Sequence, residues 1–487
     1  MRPGARQVAA LAFPHSPIEI DRGLARAAGQ WAGWRQRLRA EPAPEADAED
    51  DDVLDQFRPV TGLSLFRELG ELPEHDPLRE PLQRWVYRLA EQRINAETIT
   101  RLERERRRKR EISEAPGRAA VSIARLLAGC LEDAPRREQW LRLFIQHASP
   151  VSAISIELWQ RRREIARRMR LSSPAQIESA LQLPAPSAEA SPPSAPSPIA
   201  LPAPAAPPAD PAKAAVTLAQ RLSEALRDRL RELAPASPAA LIDCALGRDI
   251  PGAWPGRLSA QRLADFFRGG DLLRSLDLRL EALPASLGAA SFCRALGVLG
   301  AAWFEALAPA DQPFVVAHDP YGAGRHEASA LFALLPLNAK FLLRHLELPR
   351  AALPDVQRRL AQLWLVDLAQ AALRVQLRPY ALAGEQAFRE TFSELVNQEL
   401  QISLPPTLAG ALFQLDVEDE QRLLGRLLAA ERERELTEAH DEDWFRNPRA
   451  LEQLRAEAHR PPAVRVELQR AQAALVQTTR RLGQLLR

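Results

Sequence analysis

A chain of 487 residues with 46% hydrophobic content is long enough for two or more domains, each with its own core, and its composition excludes global disorder. Its 65 basic and 63 acidic residues leave a formal net charge of only +2, so the overall balance calls for neither a nucleic-acid nor an anionic-membrane partner. Cys130, Cys244 and Cys293 are scattered and form no C-x-x-C pair, which argues against a disulfide framework or structural zinc and favours a reducing cytoplasm.

The apolar stretch at residues 8–13 is too short for the core of a signal peptide and runs into Pro14-His15-Ser16-Pro17. Apolar periodicity then predicts helices over residues 20–39, 77–92, 96–112, 119–130, 136–147 and 150–169. Between the first two, residues 42–55 are acidic but lack the D-x-D-x-D-G spacing of a calcium loop, and they read as a solvated loop. The basic run at residues 104–110 is interrupted by Glu105 and flanked by Glu103 and Glu111, and no aromatic side chain interleaves it. It reads as a solvated helix face rather than a surface for stacking on bases.

From Pro184 to Pro211 the sequence is almost entirely Pro, Ala and Ser, which cannot bury enough apolar surface to offset its ordering entropy. Residues 184–212 are therefore read as a disordered, semi-rigid linker between an N-terminal helical domain, 1–183, and a C-terminal helical domain, 213–460. In the second domain the periodicity predicts helices over 214–233, 238–246, 259–267, 291–307, 326–346, 354–377, 385–400 and 418–435. Ser149-Pro150, Ser173-Pro174 and Ser237-Pro238 each suggest a capping hydroxyl ahead of a proline at the first helical position. The most apolar window, 287–307, holds Arg294, Glu305 and several glycines, so it reads as a buried core helix and not a membrane span.

One strand is predicted, over residues 313–317, where a short β-branched run ends in turn residues. No alternating series accompanies it, and the fold class is all-α with at most one or two very short strands. Residues 461–487 form a final amphipathic helix, in which Val464, Leu468, Ala471, Leu475, Thr478, Leu482 and Leu485 follow a heptad seam. That seam suits either packing on the chain's own core or a coiled coil for self-association.

The chemistry centres on His326-Glu327-Ala328-Ser329-Ala330, which begins like the zinc-peptidase signature H-E-x-x-H but carries Ala in place of the second histidine. Imidazoles four residues apart share one helix face, so Ala330 removes a metal ligand, and zinc would need help from Glu390, Glu394 or the segment at His440. Of the eight histidines, His318 and His345 also fall near this stretch, with Asp319. Leu331, Phe332, Leu334 and Leu335 continue the apolar helix, and here the chain resembles the oligoendopeptidase-type helical zinc metallopeptidases. That resemblance implies a mostly helical fold with a substrate channel, with His326 as a metal ligand and Glu327 as the general base; at Ala330 the pattern is degenerate.

Asp367 lies in an apolar run and, if buried, needs a partner, for which Arg374 or a neighbouring helix would serve. His440 to Arg449 mixes acids with Trp444 and Phe445, a composition suited to docking on the core with the acids capping the next helix. No dinucleotide, P-loop or serine-hydrolase motif is present. These features together predict a non-catalytic binding or scaffold protein, which the resemblance would derive from a metallopeptidase, that meets a protein partner or itself through helical surfaces, without nucleic acid or membrane and without a cofactor. The alternative is a zinc-dependent peptidase with a non-standard ligand set around His326 and Glu327.

Overall fold

At the start of the first helix, Glu19 Oε2 accepts from Ser16 N at 2.8 Å and Ser16 Oγ accepts from Glu19 N at 3.3 Å. This capping box satisfies two amides that would otherwise be orphaned, and Pro17 occupies the first position of α1 (Pro17–Arg39), where a missing N–H costs nothing. Ile20, Leu24, Ala27, Trp31, Trp34 and Leu38 recur at steps of four and three along α1, and all are buried. The computed structural model describes residues 16–39, 55–73, 75–108, 137–183, 210–233, 254–269, 286–458 and 465–487. The acidic loop before Asp55, most of the Pro/Ala/Ser segment, the helices expected over 119–130 and 238–246, and Cys130, Cys244 and Val464 lie outside these residues.

The chain continues through α2 (Leu63–Gly70), α3 (Arg79–Ile94), α4 (Ala96–Arg107), α5 (Arg137–His147), α6 (Ser149–Arg168) and α7 (Ala175–Glu178) to β1 (Leu181–Gln182). After residue 209 follow α8 (Pro211–Leu233), α9 (Gly256–Gly269), α10 (Ala289–Ala306), α11 (Phe314–Ala317), α12 (Gly324–Leu334), α13 (Ala339–Arg344), α14 (Leu353–Ala383), α15 (Glu385–Leu400), α16 (Asp419–His440) and α17 (Pro448–Ala458). The short strand β2 (Val466–Glu467) leads into α18 (Leu468–Leu485) and pairs in parallel with β1, Leu181 opposite Val466. The fold is all-α, with this one two-residue ladder among the described residues. Among them, no helix is long and apolar enough to cross a membrane.

The strand expected at residues 313–317 is instead the single helical turn α11. The Asp21 carboxylate on α1 accepts from Phe314 N at 3.1 Å and Val315 N at 2.9 Å, satisfying the first amides of a turn, and among the described residues no strand pairs with it. The helix expected over 326–346 is interrupted at Pro336, which cannot continue the hydrogen-bond ladder. A short 3-10 turn, Leu335–Leu337, intervenes, and Asn338 Oδ1 caps α13 by accepting from Phe341 N at 3.1 Å. Neither Ser149 nor Ser173 makes a side-chain cap, because Ala148 and Pro174 hold the cap positions of α6 and α7.

Helices from both sides of the Pro/Ala/Ser segment share one hydrophobic core, which runs from Ile20 to Leu482. Polar contacts reinforce the join: Arg84 Nε meets Asp319 Oδ1 at 2.9 Å, and Glu420 Oε1 accepts from Ser179 Oγ at 2.6 Å and Ala180 N at 2.8 Å. The seam of α18 turns inward as well. Leu468, Ala471, Leu475, Thr478 and Leu482 are buried, with α16 and α8 as neighbours, and Thr478 Oγ1 donates to Ala474 O at 2.8 Å.

Candidate functional site

Helix α12, which carries the His-Glu pair, is held between α10 and α16 at distances that only glycine permits. A Cβ at Gly425 of α16 would stand 2.5 Å from the His326 carbonyl carbon, and one at Gly300 of α10 would stand 2.5 Å from Phe332 Cδ2 and 2.9 Å from Ala328 O. Gly297 is similarly close to Ser329. Ala328 and Ser329 belong to the same close packing, their backbones lying against Gly300 and Gly297.

His326 and Glu327 are engaged by different partners. His326 Nε2 lies 3.4 Å from Arg325 Nε and 3.7 Å from Glu418 Oε2. Burial, with Arg325 beside it and Glu418 opposing, lowers its pKa to about 3, so the imidazole is neutral. Glu327 Oε1 accepts from Arg432 Nε at 3.2 Å; burial raises this carboxyl and the guanidinium pulls it back. Arg432 is itself shared with Glu435 and Glu457. Glu418 joins Arg88 at 3.1 Å, Arg325 at 2.6 Å and Arg422 at 3.3 Å.

This donor set does not fit zinc. Ala330 supplies no ligand, Glu327 is held by a guanidinium, and among the described residues no three His, Cys, Asp or Glu side chains converge in a way that could hold a metal. His345 Nε2 instead bonds Arg262 O at 3.1 Å, His318 stacks on Phe314 with ring centroids 5.0 Å apart, and His440 Nε2 pairs with Gln453 Oε1 at 2.8 Å.

Asp367 is half exposed on α14 and has the partner that its place in an apolar run calls for, a bidentate pair with Arg426 of the neighbouring α16 at 2.5 and 2.9 Å. Burial raises its pKa, but Arg426 outweighs this and holds the carboxyl below its ordinary range. Trp444 and Phe445 are buried, as docking requires. The acids beside them do not cap α17; Asp443 pairs with Arg344 at 2.5 Å and Glu442 with Lys340 at 3.3 Å, while Asn447 Oδ1 takes the capping contact from Arg449 N at 3.0 Å.

Beside α12 lies a cavity of about 830 Å³. Helices α1, α3, α4, α6, α10, α12, α14 and α16 and residues 411–416 wall it, and His326, Ser329, Ala330, Ala333 and Leu334 face it from α12. Trp31, Trp159, Trp364 and Phe413 supply aromatic surface, and eight arginines lie along it against four carboxylates. Five of these arginines are matched: Arg88 with Glu418, Arg106 with Glu103, Arg162 with Glu91 at 2.8 Å, Arg422 with Asp416 at 3.0 Å, and Arg426 with Asp367. Asp416 sits among guanidiniums; burial opposes its ionisation, but Arg422 and Arg88 hold it well below the carboxylate range. Cys293, a free thiol on the same wall, is pushed up to about 12 by burial and is not a nucleophile at neutral pH.

Sequence reasoning missed this cavity. The signals it left were glycines three apart inside an apolar helix, Gly297 and Gly300, and arginines spread singly over many helices. No protein-family model matches the chain, and no curated protein matches it in sequence.

Proposed function

We propose that the chain is a non-catalytic helical binding protein whose ligand occupies the cavity beside α12. The observation that carries this reading is the split of α12 into two faces. Glu327 is consumed in a carboxylate–guanidinium cluster, while Ser329, Ala330 and Ala333 present small side chains to a space of about 830 Å³. That volume is in the range of small-molecule sites, and its mixture of aromatic walls and a few charged groups is the usual makeup of one. Ala330, where a metallopeptidase would place a ligand, here leaves room for one instead. The buried seam of α18 favours intramolecular packing over self-association. A reducing cytoplasm suits the free Cys293.

The neutral naphthalene dye prodan tests the cavity. It is expected to bind the native chain once, with a blue-shifted emission, and to lose that binding when Ala330→Trp or Ala333→Phe fills the space at unchanged circular dichroism. Binding that survives both substitutions places the ligand elsewhere. The peptidase alternative is tested with zinc-supplemented chain on casein: cleavage that Glu327→Gln abolishes, with stability unchanged, overturns the non-catalytic reading.

A further inference from the structure

We propose that the cavity takes an amphipathic anion, a small molecule with an oxyanion head group and an extended apolar body, laid along α14 with its head at Arg374. This rests on the reading of the cavity as the binding site and adds its chemistry. Leu360, Leu363, Trp364, Asp367, Gln370 and Arg374 all line the cavity from α14, at steps of three and four that form one stripe of the helix. The stripe grades from apolar at its start to cationic at its end, over about 21 Å at the rise of an α-helix. A ligand matched to it is apolar at one end and negative at the other. Ala330 and Ala333 on α12 widen the cavity without adding charge.

The charge of the head group follows from what is left unpaired. Asp367, midway along the stripe, is already neutralised by Arg426. Arg374 differs from the five matched cavity arginines. It has neither an ion pair nor a hydrogen bond among the described residues, and its Nε is buried without a partner. Trp31 Nε1 and Arg106 Nε are also buried without partners, and Trp31 as a whole is 4% exposed. On the cavity-lining residues, every unpaired buried side-chain polar atom is therefore a donor and none is an acceptor. A neutral apolar ligand would leave Arg374 unanswered, and a bare inorganic anion would leave Leu360, Leu363 and Trp364 uncovered. An oxyanion on an apolar chain answers both.

Isothermal titration calorimetry of the full chain with decyl phosphate, decanol and inorganic phosphate separates the possibilities. Decyl phosphate below its micelle concentration is expected to bind one per chain, decanol at least about 10-fold more weakly, and inorganic phosphate without saturation over the same range. Arg374→Met keeps the side chain's length and breaks no ion pair; it is expected to weaken decyl phosphate about 10-fold or more and to leave decanol unchanged. Leu363→Asp, at the other end of the stripe, is expected to weaken decyl phosphate too. Decanol binding as tightly as decyl phosphate, an unaffected Arg374→Met, or several decyl phosphates taken up per chain overturns the assignment. If prodan binds the cavity but decyl phosphate does not displace it, the anion assignment fails and the cavity reading stands. If prodan does not bind either, both fail.

Discussion

His326 offers the sharpest test of the environment around α12. Its imidazole is 13% exposed and faces Arg325, Glu418, Arg422 and Arg426, with burial and Arg325 outweighing the attraction of Glu418. The folded-state pKa of about 3 lies below the unfolded value of 6.5, so between these limits the unfolded chain binds the proton more readily. The stability that this site contributes is fully present above pH 6.5 and is lost as pH falls toward about 3. Linkage puts the loss between pH 7 and pH 5 at roughly 2 kcal/mol. His326→Gln keeps a polar side chain and cannot titrate, so the other groups shared by the two proteins cancel in the comparison. Urea unfolding of both at pH 7, 6 and 5 is expected to show the native protein losing roughly 2 kcal/mol more than the variant over that range. Parallel curves, agreeing within about 0.5 kcal/mol, would refute the claim that α12 holds a neutral, desolvated histidine among arginines.

Gly425→Ala would drive a methyl group to 2.5 Å from the His326 backbone, where no flexible side chain can give way, and is expected to cost about 1–3 kcal/mol in thermal or urea unfolding. Gly29→Ala, on an exposed face of α1 with nothing within 4 Å of the new Cβ, is the control and is expected to be neutral or to stabilise by up to about 1 kcal/mol. Glu91→Gln strands the buried Arg162, which Glu91 meets at 2.8 Å, and is expected to cost about 3–5 kcal/mol. The double substitution Glu91→Leu with Arg162→Met removes both charges and is expected to recover most of that loss. A double variant no more stable than the single one would show that the pair contributes more than mutual neutralisation.

How far the sequence could be read depended on whether a residue's role was set by its own helix or by another. The stripe of α1 and most of the helices followed from apolar spacing, since burial of one face is a local pattern. Pro336 was a breaker in plain view, and the interruption after α12 needed only that residue. The turn at α11 could not be anticipated, because the carboxylate that satisfies it belongs to Asp21, 293 positions earlier than Phe314. Asp367 was legible in part: its place in an apolar run called for a partner, but which helix would supply it, Arg426 of α16, was not written near it in the chain. The His-Glu pair was legible as residues, yet its meaning depended on Arg432, Glu418 and Gly425, none of them near it in the chain.

The net charge of +2 shows why the cavity stayed hidden. A sum over the chain reports what a distant partner would feel, and on that scale acids and bases cancel. Folding sorts them. Acids such as Glu435 and Glu457 are drawn into the cluster at Arg432, while eight arginines converge on one cavity, where carboxylates match five of them. At separations of a few ångströms and in partly dry surroundings, the local excess governs what can bind, because screening by water and salt no longer averages it away. A nearly neutral chain can therefore hold a site for an anion. In such a site the paired arginines shape the walls, and Arg374, which has neither an ion pair nor a hydrogen bond among the described residues, is left to meet the ligand.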